Sequence, residues 1–241
     1  MFVTLRGKRI SYEVVGQGEP ILLVHGWGGS SASLKALSLI LSQSYQIIVI
    51  DLPGFGHSDN PEPTWGVEEY AHILTEFLDQ LKLKKVDFFG HSFGGALGIY
   101  IASQEPNRIN KLILCAPSYS RLAKKVVGIQ SLKQIIPPDL KLLLYRIFFP
   151  NSDISRFPKL EQNFRKIVTQ DLTPLTHSIN VPTFILWGEK DTYVPVEQAT
   201  NLHARIKKSI LKIFPDVKHS LPLKNPDLVA REVKEFLDKS Q

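Results

Sequence analysis

The stretch "FFGHSFGGALG", residues 88–98, decides how this chain is interpreted, because it places one serine between two glycines directly after an apolar run. Ser92 stands two positions from Gly90 and two from Gly94, in the pattern GxSxG. After a strand and before a helix, this pattern requires a turn so sharp that neighbouring side chains would collide, which glycine avoids. The serine oxygen is then held clear at the carboxyl end of a sheet. The pattern therefore favours a nucleophilic Ser92 over a serine that merely fits a tight turn.

Apolar runs of strand length recur along the chain, with helical patterns between them. They begin at Ile21, Tyr45, Val86, Lys111, Thr183 and Ile210. Unbroken runs of this kind are typical of strands covered on both faces, and helices between them predict parallel strands joined by right-handed crossovers. Two earlier runs, near residues 3–5 and 10–15, alternate across Gly7-Lys8 and predict an antiparallel hairpin at the edge of the sheet. The predicted fold class is α/β, with a mostly parallel sheet flanked by helices.

One interval interrupts this alternation. From about residue 118 to 180 no strand-like run occurs, and prolines divide the stretch into short helical pieces. We expect residues 118–180 to form an inserted helical cap over the carboxyl edge of the sheet, and residues 1–117 and 181–241 to form the core. The segment 121–171 carries ten basic residues against four acidic ones, a difference equal to the net charge of +6.

Composition limits the function classes. With 241 residues, 43% hydrophobic and 22% charged, the chain is typical of soluble globular proteins, and it has no apolar run long enough to span a membrane. The amino terminus lacks a signal-peptide pattern, and the single Cys115 is compatible with a reducing compartment, so we expect a cytoplasmic protein. The basic segment lacks the pattern of a nucleic-acid module and favours a solvated helix face, with weak contact to anionic membrane surfaces as the alternative. Composition does not determine the oligomeric state.

A serine hydroxyl needs a base to become a nucleophile, and the base needs a carboxylate that orients it. Of the seven histidines, His219 alone follows a late strand-like run, in a loop before the final helix. Loops at this edge of a parallel sheet bring side chains together. Glu189 and Asp191 follow the preceding run, and Asp191 is favoured because the first residues after a strand are still turning away. Glu189 remains the alternative acid.

Attack on a carbonyl creates an oxyanion that backbone N–H groups must stabilise. The N–H of Phe93 begins the helix after Ser92, where the helix dipole adds to the field. The stretch "HGWGGS", residues 25–30, can bring the N–H of Trp27 to the opposite side, although a plain glycine turn explains the same letters. We therefore expect Trp27 and Phe93 to supply the oxyanion hole.

These motifs resemble, in order and spacing, the capped α/β-hydrolase superfamily over about residues 9–117 and 181–238. The stretches concerned are "VHGWGGS" (24–30), "DLPGFGHSD" (51–59), "GHSFGGA" (90–96) and "LWGEKDTYVP" (186–195), with a histidine before the last helix. The resemblance implies an eight-stranded sheet. It also implies the family's roles by position: nucleophile Ser92, acid Asp191, base His219, and oxyanion amides of Phe93 and Trp27.

Within that superfamily the chain looks most like small serine carboxylesterases, and it is also similar to carbon–carbon bond hydrolases of aromatic degradation. Dehalogenases and epoxide hydrolases of the family carry aspartate where this chain has Ser92. Many members have glycine where this chain has Lys218, and Asp59 is interpreted as a local turn acceptor rather than a catalytic group.

The resemblance implies a serine hydrolase of small to medium carboxylic esters that works through an acyl-enzyme intermediate. A hydrolase of dienoic ketones with the same triad, or a ligand-binding homologue without turnover, is the alternative. No metal or organic cofactor is expected, because the sequence shows no ligand cluster and no phosphate loop.

Overall fold

The computed structural model of the chain describes residues 1–120 and 156–239. Within these ranges eight strands form one sheet, in the order β1-β2-β4-β3-β5-β6-β7-β8. The strands are β1 (Phe2–Leu5), β2 (Lys8–Val15), β3 (Pro20–Val24), β4 (Gln46–Ile50), β5 (Val86–His91), β6 (Ile109–Cys115), β7 (Thr183–Gly188) and β8 (Ser209–Phe214). The pairs β1–β2 and β2–β4 are antiparallel, and every other neighbouring pair is parallel. The predicted mostly parallel, eight-stranded α/β sheet is confirmed.

Helices cover both faces of this sheet. They are α1 (Lys35–Leu41), α2 (Val67–Gln80), α3 (Phe93–Gln104), α4 (Glu161–Thr169), α5 (Glu197–Arg205), α6 (Leu221–Lys224) and α7 (Pro226–Lys239). Successive residues of a strand point to opposite faces. Phe88 therefore packs in a core with α2 and α3, and Phe89 packs in a second core with α1 and α7. Two covered faces explain why the central strands read as unbroken apolar runs.

One edge of the sheet differs from the sequence expectation in the position of its hairpin turn. The hairpin turn lies at Arg6-Gly7, one residue earlier than Gly7-Lys8, with φ values of 47° and 73°. A two-residue turn that matches the twist of the strands needs positive φ at both central residues, which Gly7 adopts without steric cost. At the other edge β8 is covered less completely, and Ile210 is 58% exposed.

Part of the predicted cap, residues 121–155, lies outside the described residues, and with it most of the basic segment. The remainder of 118–180 contains α4 between two short 3-10 turns, Pro158–Leu160 and Thr173–Ser178. The α4 side chain of Asn163 donates to the carbonyl oxygens of Glu62 and Trp65, at 2.7 and 3.0 Å. Helix α4 therefore packs on the loop before α2. The cap as a unit stays a prediction.

Asp87 on β5 is a buried carboxylate far along the strand from its carboxyl end. It is 8% exposed, and its Oδ1 has no hydrogen-bond partner among the residues described. Burial raises the pKa of Asp87 to about 6, against an ordinary value of 3.8, although the nearby Lys111 charge opposes the shift. Folding therefore disfavours the ionised form of Asp87 relative to the unfolded chain.

We expect Asp87→Asn to stabilise the protein at pH 8 by about 1–3 kcal/mol. The folded chain retains a proton that the unfolded chain releases, so the contribution of Asp87 to stability falls as pH rises from about 4 to about 6. The gain from the variant is complete above pH 6 and shrinks by about half at pH 5. Urea unfolding at pH 8 and pH 5 measures it, with the exposed Asp227→Asn as control. A gain that is equal at both pH values would contradict the expectation.

Candidate active site

Ser92 is the single residue between β5 and α3, and its backbone is strained. Its φ of 51° and ψ of −110° lie where residues with a side chain are rarely found. The Ser92 N–H donates to the carbonyl oxygen of Cys115 at 3.0 Å, and its carbonyl oxygen accepts from the N–H groups of Ala96 and Ser118, both at 3.1 Å. These three bonds hold the turn that presents a half-buried hydroxyl at the carboxyl end of the sheet.

Two glycines allow the nucleophile turn to pack closely on the end of β3. A Cβ at Gly94 would collide with the carbonyl groups of Val24 and His25. A Cβ at Gly26 would stand 3.1 Å from the Cβ of Ser92. The loop that carries Trp27 therefore lies directly against the serine.

His219 and Asp191 meet across two strand-end loops. His219 lies between β8 and α6, and Asp191 follows β7. The imidazole Nδ1 is 2.6 Å from Asp191 Oδ2. The other carboxylate oxygen accepts from the N–H groups of Tyr193 and Val194, at 2.8 and 2.9 Å, and Asp191 is 7% exposed. A proton held on Nδ1 leaves the lone pair of Nε2 free to act as a base.

The alternative acid, Glu189, has a different position. Glu189 is exposed, and its carboxylate accepts a hydrogen bond from the N–H of Asp216 at 3.3 Å. Among the residues described, Asp191 is the carboxylate in contact with His219. Lys218, the departure from the family pattern, is exposed.

The two expected oxyanion amides flank the serine. Within residues 1–120 and 156–239 neither the Trp27 nor the Phe93 backbone N–H has a hydrogen-bond acceptor. The two rings lie with centroids 5.8 Å apart, and Phe55 and Phe164 pack on Trp27 at 4.9 and 5.2 Å. Helix α4 contributes Phe164 to this aromatic group.

His91, the residue directly before Ser92, contacts His219: its Nε2 lies 2.9 Å from the carbonyl oxygen of His219, and the ring centroids are 4.9 Å apart. This contact joins residues 128 apart in the chain, so no local pattern could have indicated it. No hydrogen bond links the Ser92 hydroxyl to His219 in the part of the chain that is described.

His25 and Asp59 have structural roles. His25 is fully buried, donates from Nδ1 to the Gly26 carbonyl at 2.8 Å and accepts the Leu52 N–H on Nε2 at 3.0 Å. Burial lowers the pKa of His25 to about 4, so it is neutral. Asp59 was expected to be a local turn acceptor, but it accepts the N–H of Arg9 at 2.7 Å. It therefore joins its loop to β2, because a short acidic side chain reaches any donor that the fold brings near.

In the ranges 1–120 and 156–239 no group of three or more His, Cys, Asp or Glu side chains is placed to hold a metal ion. No helix in those ranges combines the length and the apolar character needed to cross a membrane.

Comparison with known proteins gives a consistent set of relatives. A sequence model described as alpha/beta hydrolase fold matches residues 19–137. The 2-hydroxy-6-oxo-2,4-heptadienoate hydrolase of Pseudomonas putida is 28% identical over 92% of this chain and 90% of its own length. A serine hydrolase involved in carbazole degradation superposes with a TM-score of 0.80 at 24% identity, over 99% of this chain and 98% of that one. An enol-lactonase from Burkholderia xenovorans superposes with a TM-score of 0.82 at 21% identity, over 99% of this chain and 100% of that one.

Proposed function

Because the chain belongs to the alpha/beta hydrolase fold superfamily, we propose that it is a serine hydrolase that cleaves small to medium carboxylic esters. The observation that carries this proposal is the 2.6 Å contact between His219 Nδ1 and Asp191, on loops beside the strained Ser92 turn. A base oriented by a buried carboxylate next to a half-buried serine is the arrangement that acyl transfer requires.

In the proposed mechanism Ser92 Oγ attacks the ester carbonyl while His219 Nε2 removes its proton. The Asp191 carboxylate keeps the imidazole in the required tautomer and stabilises the imidazolium that forms. The negative oxygen of the tetrahedral intermediate is stabilised by the N–H groups of Trp27 and Phe93. When the intermediate collapses, the proton on His219 passes to the leaving alcohol, and Ser92 remains acylated. Water, deprotonated by the same His219, then releases the acid and restores the serine.

A second candidate is hydrolysis of a carbon–carbon bond in a dienoic ketone. It is favoured by the 28% identity to a relative named 2-hydroxy-6-oxo-2,4-heptadienoate hydrolase. The same three residues serve that reaction, because a carbonyl carbon is again the electrophile. A ligand-binding homologue without turnover is disfavoured, since binding alone does not require an oriented base beside the serine.

Pre-steady-state kinetics on a series of p-nitrophenyl esters of increasing acyl length tests the proposal. We expect a burst of nitrophenol equal to the enzyme concentration, followed by steady turnover that depends on acyl length. A dienoic ketone assayed in parallel provides the comparison. Efficient cleavage of the ketone without turnover of any ester would favour the second candidate. Failure to turn over either class would favour the ligand-binding homologue.

A further inference from the structure

We infer that His91, the residue directly before the nucleophile, is a positioning residue that holds His219 where it can take the proton of Ser92. The inference rests on the proposed function and adds a fourth side chain to its machinery. His91 itself touches neither the reacting atoms nor the substrate in this mechanism.

The hydrogen bond to His219 defines the state of the His91 ring. A carbonyl oxygen only accepts, so the 2.9 Å contact requires His91 Nε2 to donate its proton to the His219 oxygen. The two rings are also in contact, tilted by 41° to each other with centroids 4.9 Å apart. The His91 ring therefore contacts both the backbone and the ring of His219.

Other bonds to the loop that carries His219 come from the side of the acid. The N–H groups of Glu189 and Lys190 donate to the carbonyl oxygens of Phe214 and Val217, at 2.9 and 2.8 Å. In the described parts of the chain, His91 makes the one hydrogen bond that joins the nucleophile turn to this loop. The position of His219 relative to Ser92, as distinct from its position relative to Asp191, thus depends on His91.

The ring of His91 has little freedom to move. A Cβ on Gly26 would stand 3.2 Å from His91 Nδ1, so the glycine loop closes one side of the ring while His219 lies at the other. His91 is 7% exposed. A ring confined in this way keeps the donor aimed at the carbonyl oxygen, which is the property a positioning residue needs.

His91 also avoids adding charge beside the base. Burial, together with smaller contributions from the nearby His219 and His25, lowers the pKa of His91 to about 3, although the hydrogen bond to the His219 carbonyl and the Asp191 charge oppose the shift. His91 therefore stays neutral while His219 passes through its imidazolium form. A neutral donor holds the loop without repelling the charge that develops during catalysis.

The expected size of the effect follows from the distance that proton transfer requires. A base works within about 2.6–3.2 Å of the proton donor, and a displacement of about 1 Å can cost about 100-fold in rate. Without this donor, the His219 carbonyl would pair with another group, and we expect the loop to shift.

The test compares two substitutions of nearly equal length and volume. His91→Gln keeps a donor four bonds from Cα, as Nε2 is in histidine, whereas His91→Met lacks one. We expect His91→Met to lower kcat for p-nitrophenyl esters about 30- to 100-fold with KM within about threefold, and His91→Gln to restore most of that loss. The rate of Ser92 labelling by a fluorophosphonate should follow the same order. Thermal unfolding measures the folded fraction of each variant, and His91→Phe replaces His91→Met if the latter does not fold.

Equal kcat values for the Gln and Met variants would overturn the inference, and so would a loss confined to KM. Failure of the proposed function itself has a different result: the unmodified protein would then turn over no ester of any acyl length. An active unmodified protein with indistinguishable Gln and Met variants rejects the role of His91 alone.

Discussion

Ser92→Ala is expected to lower kcat for ester hydrolysis by more than about 10⁴-fold and to leave a folded protein. Alanine removes the oxygen that attacks the carbonyl, and no acyl-enzyme can form without it. The backbone bonds of residue 92 to Cys115, Ala96 and Ser118 use only main-chain atoms, so they persist in the variant. Alanine also keeps a Cβ at a φ of 51°, so the strain of the turn is unchanged.

Steady-state assays and fluorophosphonate labelling, read by mass spectrometry, measure this loss. Ser103→Ala is the matched control, because Ser103 lies on helix α3, which begins directly after Ser92, and its hydroxyl makes only local contacts: it donates to the Tyr100 carbonyl at 2.8 Å and accepts from Gln104 Nε2 at 3.2 Å. We expect the control to retain its activity and to accept one label. A Ser92→Ala protein that turns over esters at a similar rate would refute the assignment of the nucleophile.

Asp191→Asn is expected to lower kcat by about 10⁴-fold. The Asp191 carboxylate accepts the proton on His219 Nδ1 at 2.6 Å, whereas an asparagine can present its amide N–H to the same nitrogen. The imidazole proton would then move to Nε2, and the ring could no longer accept the proton of Ser92. The effect should appear in kcat, because a misplaced proton leaves substrate contacts intact.

Glu189→Gln separates the two carboxylates that follow β7. Glu189 is exposed and its carboxylate meets only the N–H of Asp216 among the contacts described, so we expect kcat within about twofold of the unmodified protein. The two variants make the same chemical change two residues apart in one loop. A large loss in Glu189→Gln together with a small one in Asp191→Asn would reverse the assignment of the acid.

Much of the fold could be predicted because its determinants are local. The run around Phe88 and Phe89 is apolar apart from Asp87, which predicts a strand covered on both faces, and the two phenylalanines do pack in separate cores. The glycines around Ser92 predict a sharp turn between strand and helix, and the structure has a single residue there, at positive φ. Hydrophobic periodicity and steric exclusion act over a few residues, so the strands and turns that they determine can be predicted from the sequence.

Details at the edges of these elements were less predictable. The hairpin turn lies at Arg6-Gly7 because the twist of the paired strands selects the turn, and pairing is not a local property. Asp59 accepts from Arg9, which is 50 residues away. In both cases the residue type indicated a turn or a hydrogen-bond acceptor, but the sequence did not indicate which residue would be its partner.

The candidate site divides in the same way. The sequence determined that a serine follows a strand at a glycine-rich turn, that an acidic loop and a histidine loop come later, and in which order. Only the tertiary structure decided that Asp191 and not Glu189 contacts His219, and that His91 is bonded to the carbonyl of His219. The physical reason is distance along the chain: turns and strands are set by neighbours, whereas contacts between loops 28 and 128 residues apart exist only once the sheet has aligned the strands that carry them.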